Sequence, residues 1–275
     1  MTKTKKTLTK SGRLSRANLM KRLDIVLLIV FPLASIFLSL QFGLNYLYST
    51  LLFYGLPAAW LSIRTPRRVT KVLIFSLILA VPLAIFADYI SIVSKAWIIP
   101  QTAFGFRVLG VVPVEDFILS FLSYYSIVIF YEHFLDKGKP EVIDKRMKYL
   151  ILPLLACLLG FFVILLVSPQ SLAIRYAYLW FGLILAIVPI TAVLYQFPKL
   201  LSKYLKTAAY FMPVAMLNEF VALRLRHWVF PSNGYFVGWV KILGYSMPFE
   251  EFFFWIILST IAILSFYEFF DDDRK

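Results

Sequence analysis

Apolar residues dominate eight stretches of the chain, each about as long as a helix that crosses a bilayer. Such a helix needs about 20 mainly apolar residues to span the hydrocarbon core. The stretches are 24–42, 44–63, 72–94, 113–134, 149–167, 172–195, 205–224 and 247–270. The pattern predicts an all-α integral membrane protein with eight transmembrane helices.

The overall composition supports a membrane location and limits the available chemistry. Hydrophobic residues make up 61% of the 275 residues and charged residues 16%, against roughly 45–50% and 25% in soluble domains. The core of one soluble domain could not bury that excess. The one cysteine, Cys157, and the two histidines, His133 and His227, exclude an intrachain disulfide and a cysteine-rich metal site. We therefore expect no resident metal.

Positive charge is distributed unevenly between the loops that connect the apolar stretches. The net charge is +13, and with eight spans 22 of the 28 lysines and arginines fall on the side that carries both termini. Cytoplasmic loops of membrane proteins are enriched in Lys and Arg. This bias predicts a multi-pass protein of the cell membrane with both termini in the cytoplasm. It also assigns the charge to orientation and lipid contact rather than to nucleic-acid binding.

The two halves of the sequence resemble each other at an offset that drifts only from 131 to 136 residues. Short motifs recur in the same order: P-R-R-V-T-K at 66–71 and P-K-L-L-S-K at 198–203, R-V-L-G at 107–110 and K-I-L-G at 241–244, P-V-E-D-F at 113–117 and P-F-E-E-F at 248–252, and F-Y-E at 130–132 and 266–268. Each half holds four spans, so both halves have the same orientation. We predict two parallel four-helix repeats related by a pseudo-twofold axis along the membrane normal.

This organisation divides the chain into four parts. Residues 1–22 are predicted to be a disordered cationic cytoplasmic tail, 23–134 the first repeat, 135–148 a cytoplasmic linker and 149–270 the second repeat. The lipid bilayer is the expected surrounding of both repeats. Nothing in the sequence predicts an oligomeric state.

Acidic residues inside apolar spans are costly and therefore mark candidate functional sites. At a rise of about 1.5 Å per residue, Glu132 and Glu268 reach the cytoplasmic ends of their helices, where we expect solvated anchors. Six other acids converge on one membrane level near the opposite face: Asp88, Glu115, Asp116, Glu219, Glu250 and Glu251. These six are the candidate functional acids.

Two adjacent acid pairs follow prolines that suit the first turn of a helix, and aromatic residues follow each pair. Neighbouring residues on a helix point about 100° apart, so at most one member of each pair faces a given pocket. The aromatic candidates for substrate contact are Phe117, Phe121, Phe252 and Phe253, with Trp97 and Trp228 from the loops. An acid beside aromatic ring faces in a dry cavity can protonate an alkene and stabilise the resulting carbocation.

These residues resemble those of the lycopene cyclase domain, the integral-membrane carotenoid cyclases of archaea, fungi and some actinobacteria. The shared pattern is a span with an acid, then a tryptophan, a proline-containing loop, a glycine and a helix start of the form P-x-E-[ED]. P-F-E-E-F at 248–252 matches the family motif, whereas P-V-E-D-F has Asp116 for the second glutamate, and the loops lack the usual Asn-Pro. The resemblance covers about residues 66–270.

The resemblance implies a lycopene β-cyclase without a redox cofactor, acting on a hydrophobic carotenoid polyene. In this family an acid protonates the terminal double bond of the open ψ-end, the cation closes a six-membered ring, and a carboxylate removes a proton. The resemblance points to Glu115 and Glu250 as the central acid–base groups. Their expected partners are Asp116, Glu251, Asp88 and Glu219. No G-x-G-x-x-G motif follows a strand, which fits a reaction without flavin.

Several alternatives stay open. A hydratase would capture the same cation with water, and a C50 carotenoid cyclase would use a longer substrate. A small-molecule transporter is the alternative from a different class, because Pro82 and Pro213 pair at an offset of 131 and parallel repeats with buried charges occur in transporters. A prenyltransferase is disfavoured, because no span contains the D-x-x-x-D spacing that would hold Mg²⁺ and diphosphate.

Overall fold

The computed structural model describes the backbone of residues 2–136, 144–231 and 235–271, and the side chains of these ranges from residue 19 onward. Half of the predicted linker 135–148 lies outside the described residues. Eight long helices run through the described part of the chain. They are α1 Thr2–Phe42, α2 46–64, α3 69–93, α4 Val114–Phe134, α5 Met147–Val167, α6 Ala177–Gln196, α7 Leu200–Leu225 and α8 Glu251–Tyr267. Short 3₁₀ turns, Pro66–Arg68 and Pro169–Leu172, precede α3 and α6.

Six of these helices are long and apolar enough to cross a membrane: α1 from Leu19, α3 with its preceding turn, α4, α5, α6 and α7. The chain is therefore an all-α, multi-pass membrane protein, which confirms that part of the predicted fold class. Helix α2 is not among the six, and α8 is a shorter apolar helix. The total of eight spans and the internal repeat stay predictions.

Two β-hairpins precede α4 and α8. The strands are β1 Arg107–Val108, β2 Val112–Pro113, β3 Trp239–Ile242 and β4 Tyr245–Pro248, paired β1–β2 and β3–β4, both antiparallel. The β3–β4 turn consists of Leu243 and Gly244, both with positive φ, as a tight two-residue hairpin turn requires. An antiparallel bridge between Ile98 and Val229 joins the two hairpin-bearing loops. The hairpins therefore set the direction in which α4 and α8 begin.

Helices α4 and α8 contact each other at the centre of the bundle. Helices α2 and α3 pack on α4, while α6 and α7 pack on α8 and α7 also reaches α4. Two helices are peripheral, with α1 on α7 and α2, and α5 on α3. The main core cluster contains large side chains from the central helices, such as Phe75, Tyr131, Tyr204 and Leu264. These buried side chains form the main packed core of the bundle.

The outer surface of the bundle is apolar where lipid would contact it. On α5, Leu159 is 67% exposed and Leu166 is 83% exposed. A soluble monomer rarely exposes a continuous apolar face of this kind, whereas a bilayer solvates it well. The exposed face of α5 therefore agrees with a membrane-embedded position.

Two expectations about the ends of the helices are wrong. Helix α1 begins at Thr2, inside the stretch 1–22 that was predicted to be disordered, because Lys, Arg and Leu favour helix and no proline occurs before Pro32. Glu132 and Glu268 are not solvated anchors, since they are only 2% and 4% exposed. Neighbouring side chains cover both of them, as described below.

Candidate active site

A cavity of about 220 Å³ lies among helices α2, α3, α4, α6, α7 and α8. Most of its wall is apolar or aromatic. Four carboxyl groups line it, from Asp88, Asp116, Glu219 and Glu251. Among the described residues, no lysine, arginine or histidine lines this cavity. The cavity is therefore an apolar chamber that carries several acids without a compensating cation.

Each of the helices α2, α3, α6 and α8 contains a π-helical turn, and every one of these turns contributes to the cavity wall. The turns are Leu51–Gly55, Ala84–Asp88, Leu183–Ile187 and Glu251–Leu258. Their lining residues include Tyr54, Asp88, Ala186 and Glu251. A π-turn widens the helix locally and is frequent at functional sites. The wall of the cavity is thus built where four helices depart from regular geometry.

Each hairpin places an acid pair in the first turn of the helix that follows it. Pro113 ends β2 directly before α4, so that Glu115 and Asp116 lie in the first turn of α4. Pro248 ends β4, Glu250 is the N-cap residue directly before α8, and Glu251 is the first residue of α8. The positive end of the helix dipole favours acidic residues at this position. This part of the sequence-based prediction agrees with the structure.

Within each pair, the second acid faces the cavity and the first acid binds a loop. Glu115 Oε1 accepts hydrogen bonds from the backbone N–H groups of Ala103 and Phe104, and Glu250 Oε1 accepts one of 2.7 Å from the N–H of Val237. Both first acids are 0% exposed and neither lines the cavity. Glu115 and Glu250, predicted to be the central acid–base groups, therefore do not face the cavity, whereas Asp116 and Glu251 do. The cause is the turn of about 100° between neighbouring helical residues.

Asp116 and Glu251 are each held by a tyrosine that the sequence analysis missed. The hydroxyl of Tyr46 donates to Asp116 Oδ1 at 2.8 Å, and the hydroxyl of Tyr178 donates to Glu251 Oε2. Both tyrosines are buried near the start of their helices, α2 and α6, and both line the cavity. A usable signal was present, because the two positions are 132 residues apart, within the offset of the proposed repeat.

The tryptophans predicted for the loops do lie at the cavity, and each packs against one of these tyrosines. The ring of Trp228 contacts Tyr46 edge-on at 5.3 Å, and the ring of Trp97 contacts Tyr178 at 5.2 Å between centroids. In both contacts the tryptophan comes from the half of the chain that does not contain the tyrosine. The loops from the two halves therefore close the cavity together.

The remaining two acids, Asp88 and Glu219, differ in their hydrogen bonds. Trp228 Nε1–H donates to Glu219 Oε1 at 3.2 Å. Trp97 occupies the same spacing after Asp88 as Trp228 does after Glu219, but it makes no such bond. Among the described residues, no hydrogen-bond donor contacts the carboxyl group of Asp88. The two halves thus share the spacing between acid and tryptophan, but only the acid of the second half, Glu219, receives a hydrogen bond from its tryptophan.

The four phenylalanines predicted to bind substrate do not line the cavity: Phe117, Phe121, Phe252 and Phe253. They follow the acids in sequence but turn to other sides of their helices, and Phe253 stacks on Phe249. Instead, the cavity wall contains aromatic residues from later turns and other helices: Tyr124, Phe181, Phe211, Phe230, Phe254, Trp255 and Phe266. Sequence proximity to an acid was the wrong criterion, because three-dimensional contact follows the helical face.

Gly182 determines the position of one of these rings. A Cβ atom at Gly182 would overlap the ring of Phe254, and both residues line the cavity. The ring of Phe254 therefore occupies the space that any larger residue on α6 would fill. This contact brings α8 close to α6 beside Tyr178 and Glu251.

His227 supports Tyr46 from outside the cavity. It is buried, its Nε2–H donates to the backbone carbonyl of Leu44 at 2.9 Å, and its ring stacks on Tyr46. Burial lowers the pKa of the His227 imidazole, and the bond to Leu44 opposes this only in part. The neutral ring therefore fixes the start of α2, where Tyr46 lies.

A second group of acids lies at the opposite end of α4, and its carboxylates are close enough together to bind a metal ion. Carboxylate oxygens of Glu132, Asp136 and Asp271 lie within 4.8 Å of one another. Lys71 Nζ already lies 3.1 Å from Glu132 and 2.7 Å from Asp271, and Lys203 lies 3.3 Å from Asp136. The protein's own ammonium groups thus compensate this cluster. Its geometry indicates a buried ion-pair network that joins α3, α4 and α7 to the end of the chain.

Comparison with models of protein families, with curated proteins and with solved structures found no significant match to this chain.

Proposed function

We propose that the protein is a lycopene β-cyclase that closes the open ends of a linear carotenoid by proton transfer. The observation that carries this proposal is the set of four carboxyl groups on one mainly apolar cavity, with no cationic side chain among the described lining residues. A hydrocarbon substrate needs an apolar wall, and its cyclisation needs an acid and a base. Both requirements are satisfied by the same chamber.

The size of the cavity favours an end group over a complete polyene. Sites for drug-sized ligands occupy roughly 300–1,000 Å³, whereas this cavity occupies about 220 Å³. One end of a forty-carbon chain fits such a volume, while the rest of the chain extends toward lipid. Each end of lycopene would then react in a separate binding event.

The reaction is redox-neutral, so protonation and deprotonation are sufficient for it. A carboxylic acid adds a proton to the terminal double bond, and the resulting cation is attacked by the next double bond to form the ring. A carboxylate then removes a proton and restores neutrality. Asp88, Asp116, Glu219 and Glu251 are the groups on the wall that can supply these steps. Aromatic residues such as Trp97 and Phe254 line the same cavity, and aromatic ring faces can stabilise a cation.

The proposal includes two repeats with eight spans, both termini in the cytoplasm, and a location in the cell membrane. It is supported by contacts that recur in both halves. Tyr46 binds Asp116 as Tyr178 binds Glu251, and the loop contact of Glu115 recurs at Glu250. Such pairs are expected if two similar four-helix units enclose one cavity.

Within this chemistry, a hydratase and a C50 carotenoid cyclase are the related alternatives, and a transporter is the alternative from a different class. The transporter proposal relied on Pro82 and Pro213. Both residues lie inside continuous helices, α3 and α7, rather than at broken helices of the kind that bind ions in transporters. We therefore favour the enzyme.

Expression in a lycopene-accumulating cell tests the proposal. We expect β-ring carotenoids of unchanged molecular mass in the pigment extract, because cyclisation is an isomerisation. A hydratase would give products heavier by one water per reacted end, and a transporter would leave lycopene chemically unchanged. Unaltered lycopene in cells whose membranes contain the protein would contradict the proposal.

A matched control separates the cavity from general effects of removing an acid. Asp144 lies outside the cavity and pairs with Arg146, which is half exposed. The Asp144→Asn variant should therefore cyclise lycopene as the wild type does. Simultaneous replacement of Asp88 and Glu251 by Asn and Gln should abolish cyclisation at equal protein abundance in the membrane.

A further inference from the structure

We propose that the two halves of the cavity perform different steps, with Asp88 as the proton donor and Glu251 as the proton acceptor. This inference rests on the proposed function, because it assigns roles within the same reaction. It follows from the hydrogen-bond donors around each carboxyl group and from the access of each group to the cavity.

The four carboxyl groups cannot all be ionised together. They share one apolar cavity whose described lining contains no cationic side chain, and burial of uncompensated negative charge is costly. The proton should therefore stay on the group that is least supported as an anion. A hydrogen bond from a neutral donor to a carboxylate favours the ionised form.

Only Asp88 lacks such support. Asp116 receives the hydroxyl of Tyr46, Glu251 the hydroxyl of Tyr178, and Glu219 the Nε1–H of Trp228. No donor among the described residues contacts Asp88. Its side chain is one methylene shorter than that of Glu219, which accepts a hydrogen bond from Trp228. Asp88 is thus the group that remains protonated, as a general acid must be before reaction.

Access to the cavity selects the acceptor among the three supported carboxylates. Asp116 and Glu219 are 5% and 3% exposed, whereas Asp88 and Glu251 are more open to the cavity. The second oxygen of Asp116 is buried without a partner, so it is shielded from a substrate. Glu251 therefore combines a hydrogen bond from Tyr178, which favours its ionised form, with a position on the cavity wall. Asp116 and Glu219 act as positioning residues behind this pair.

The proposed step is balanced in atoms and electrons. Asp88 gives its proton to the terminal double bond, whose electron pair forms the new C–H bond and leaves a tertiary cation. The electron pair of the next double bond forms the ring C–C bond and moves the cation into the ring. Glu251 then takes a ring proton, and that C–H electron pair becomes the double bond of the β-ring. Asp88 ends ionised and Glu251 protonated. Glu251 then gives its proton to water and Asp88 takes one from water, which restores the starting state.

Two isosteric variants distinguish donor from acceptor in lycopene-accumulating cells. Asp88→Asn should leave lycopene unreacted, with conversion reduced at least about 100-fold, because the donor is missing. Glu251→Gln should still consume lycopene, because the cation still forms. It should then release isomeric rings with the double bond at another position, or end groups that have captured water, at the expense of the β-ring. Pigments are identified by chromatography and mass, with protein abundance measured in the membrane fraction.

The outcomes separate this inference from the proposed function. Absence of cyclised pigment with the wild type would remove both. If the wild type cyclises but Asp88→Asn retains conversion, or Glu251→Gln at normal abundance abolishes all consumption of lycopene, the division of roles is overturned while the cyclase function stands.

A second variant guards against a simple loss of folding. Asp88→Glu keeps the carboxyl group but adds the methylene that lets it reach Trp97, as Glu219 reaches Trp228. A gained hydrogen bond to the anion should favour ionisation and lower conversion about tenfold. Conversion at the wild-type level in Asp88→Glu would contradict the role assigned to the missing donor.

Discussion

The hydrogen bonds from tyrosine to the cavity acids connect single side chains to the proposed chemistry. Tyr178 and Tyr46 have no other described acceptor for their hydroxyl groups than Glu251 and Asp116. A hydrogen bond to a charged group contributes about 1.5–3 kcal/mol. Loss of the Tyr178 hydroxyl group should therefore destabilise the ionised form of Glu251 while the aromatic ring stays in the cavity wall.

We expect Tyr178→Phe to lower lycopene conversion by about 10- to 100-fold, which corresponds to one such hydrogen bond. Initial rates of pigment conversion in isolated membranes measure this effect. Tyr195→Phe is the matched control on the same helix, because Tyr195 is 89% exposed. Equal rates in the two variants would show that the Tyr178 hydroxyl does not act on the reaction.

The positions of the acids along the helices could be predicted from the sequence, but the directions in which their side chains point could not. The acid-bearing first turns of α4 and α8 could be predicted from proline, acid order and spacing. The choice of Asp116 over Glu115 could not, because it depends on which side of the turn meets the Ala103 backbone. Tyr46 and Tyr178 could have been found only by comparing uncharged residues of the two halves at the offset of the proposed repeat.

The close approach of α6 and α8 depends on Gly182, where the ring of Phe254 fills the space of a side chain. The contact lies beside the hydrogen bond between Tyr178 and Glu251, so a change in helix spacing should also move these groups. Overpacking of a well-packed contact typically costs about 1–3 kcal/mol.

We expect Gly182→Ala to lower the thermal unfolding midpoint in detergent and to reduce lycopene conversion, because the methyl group must displace Phe254. Gly160→Ala is the control, since nothing lies within 4 Å of a Cβ atom at this position in α5. Alanine should raise stability slightly at Gly160, because it favours helix over glycine. An unchanged midpoint and unchanged conversion for Gly182→Ala would contradict the tight contact.

Helix positions were largely predictable, since long apolar runs have few alternatives in a membrane. The irregular elements were not. The π-turn at Ala84–Asp88 and the hairpins before α4 and α8 leave only weak marks in the sequence, such as the glycine at 110 and 244. These irregular elements nevertheless shape the cavity, which is why the location of the acids was easier to predict than their orientation.

The two ends of the helix bundle differ in their polar interactions. One end of α4 borders the apolar cavity, and the other end carries the ion pairs around Lys71 and Glu132. Glu132 and Glu268 were predicted to be solvated, because helical rise places them at the membrane surface. Tertiary packing buries them instead, with Tyr267 donating to Glu132 and Tyr131 to Glu268. Depth along a helix predicts a level in the membrane, but not whether neighbouring helices cover it.

Reaction of purified protein with lycopene in liposomes made up in D₂O tests the acid–base claim most directly. The donor proton exchanges with solvent before each turnover, so each new β-ring should gain one deuterium from the acid and lose one hydrogen to the base. Mass spectrometry should therefore show a mass increase of one deuterium-for-hydrogen exchange per ring, without added oxygen. Recovery of unreacted lycopene, or of rings that carry no solvent deuterium, would contradict cyclisation by the cavity acids.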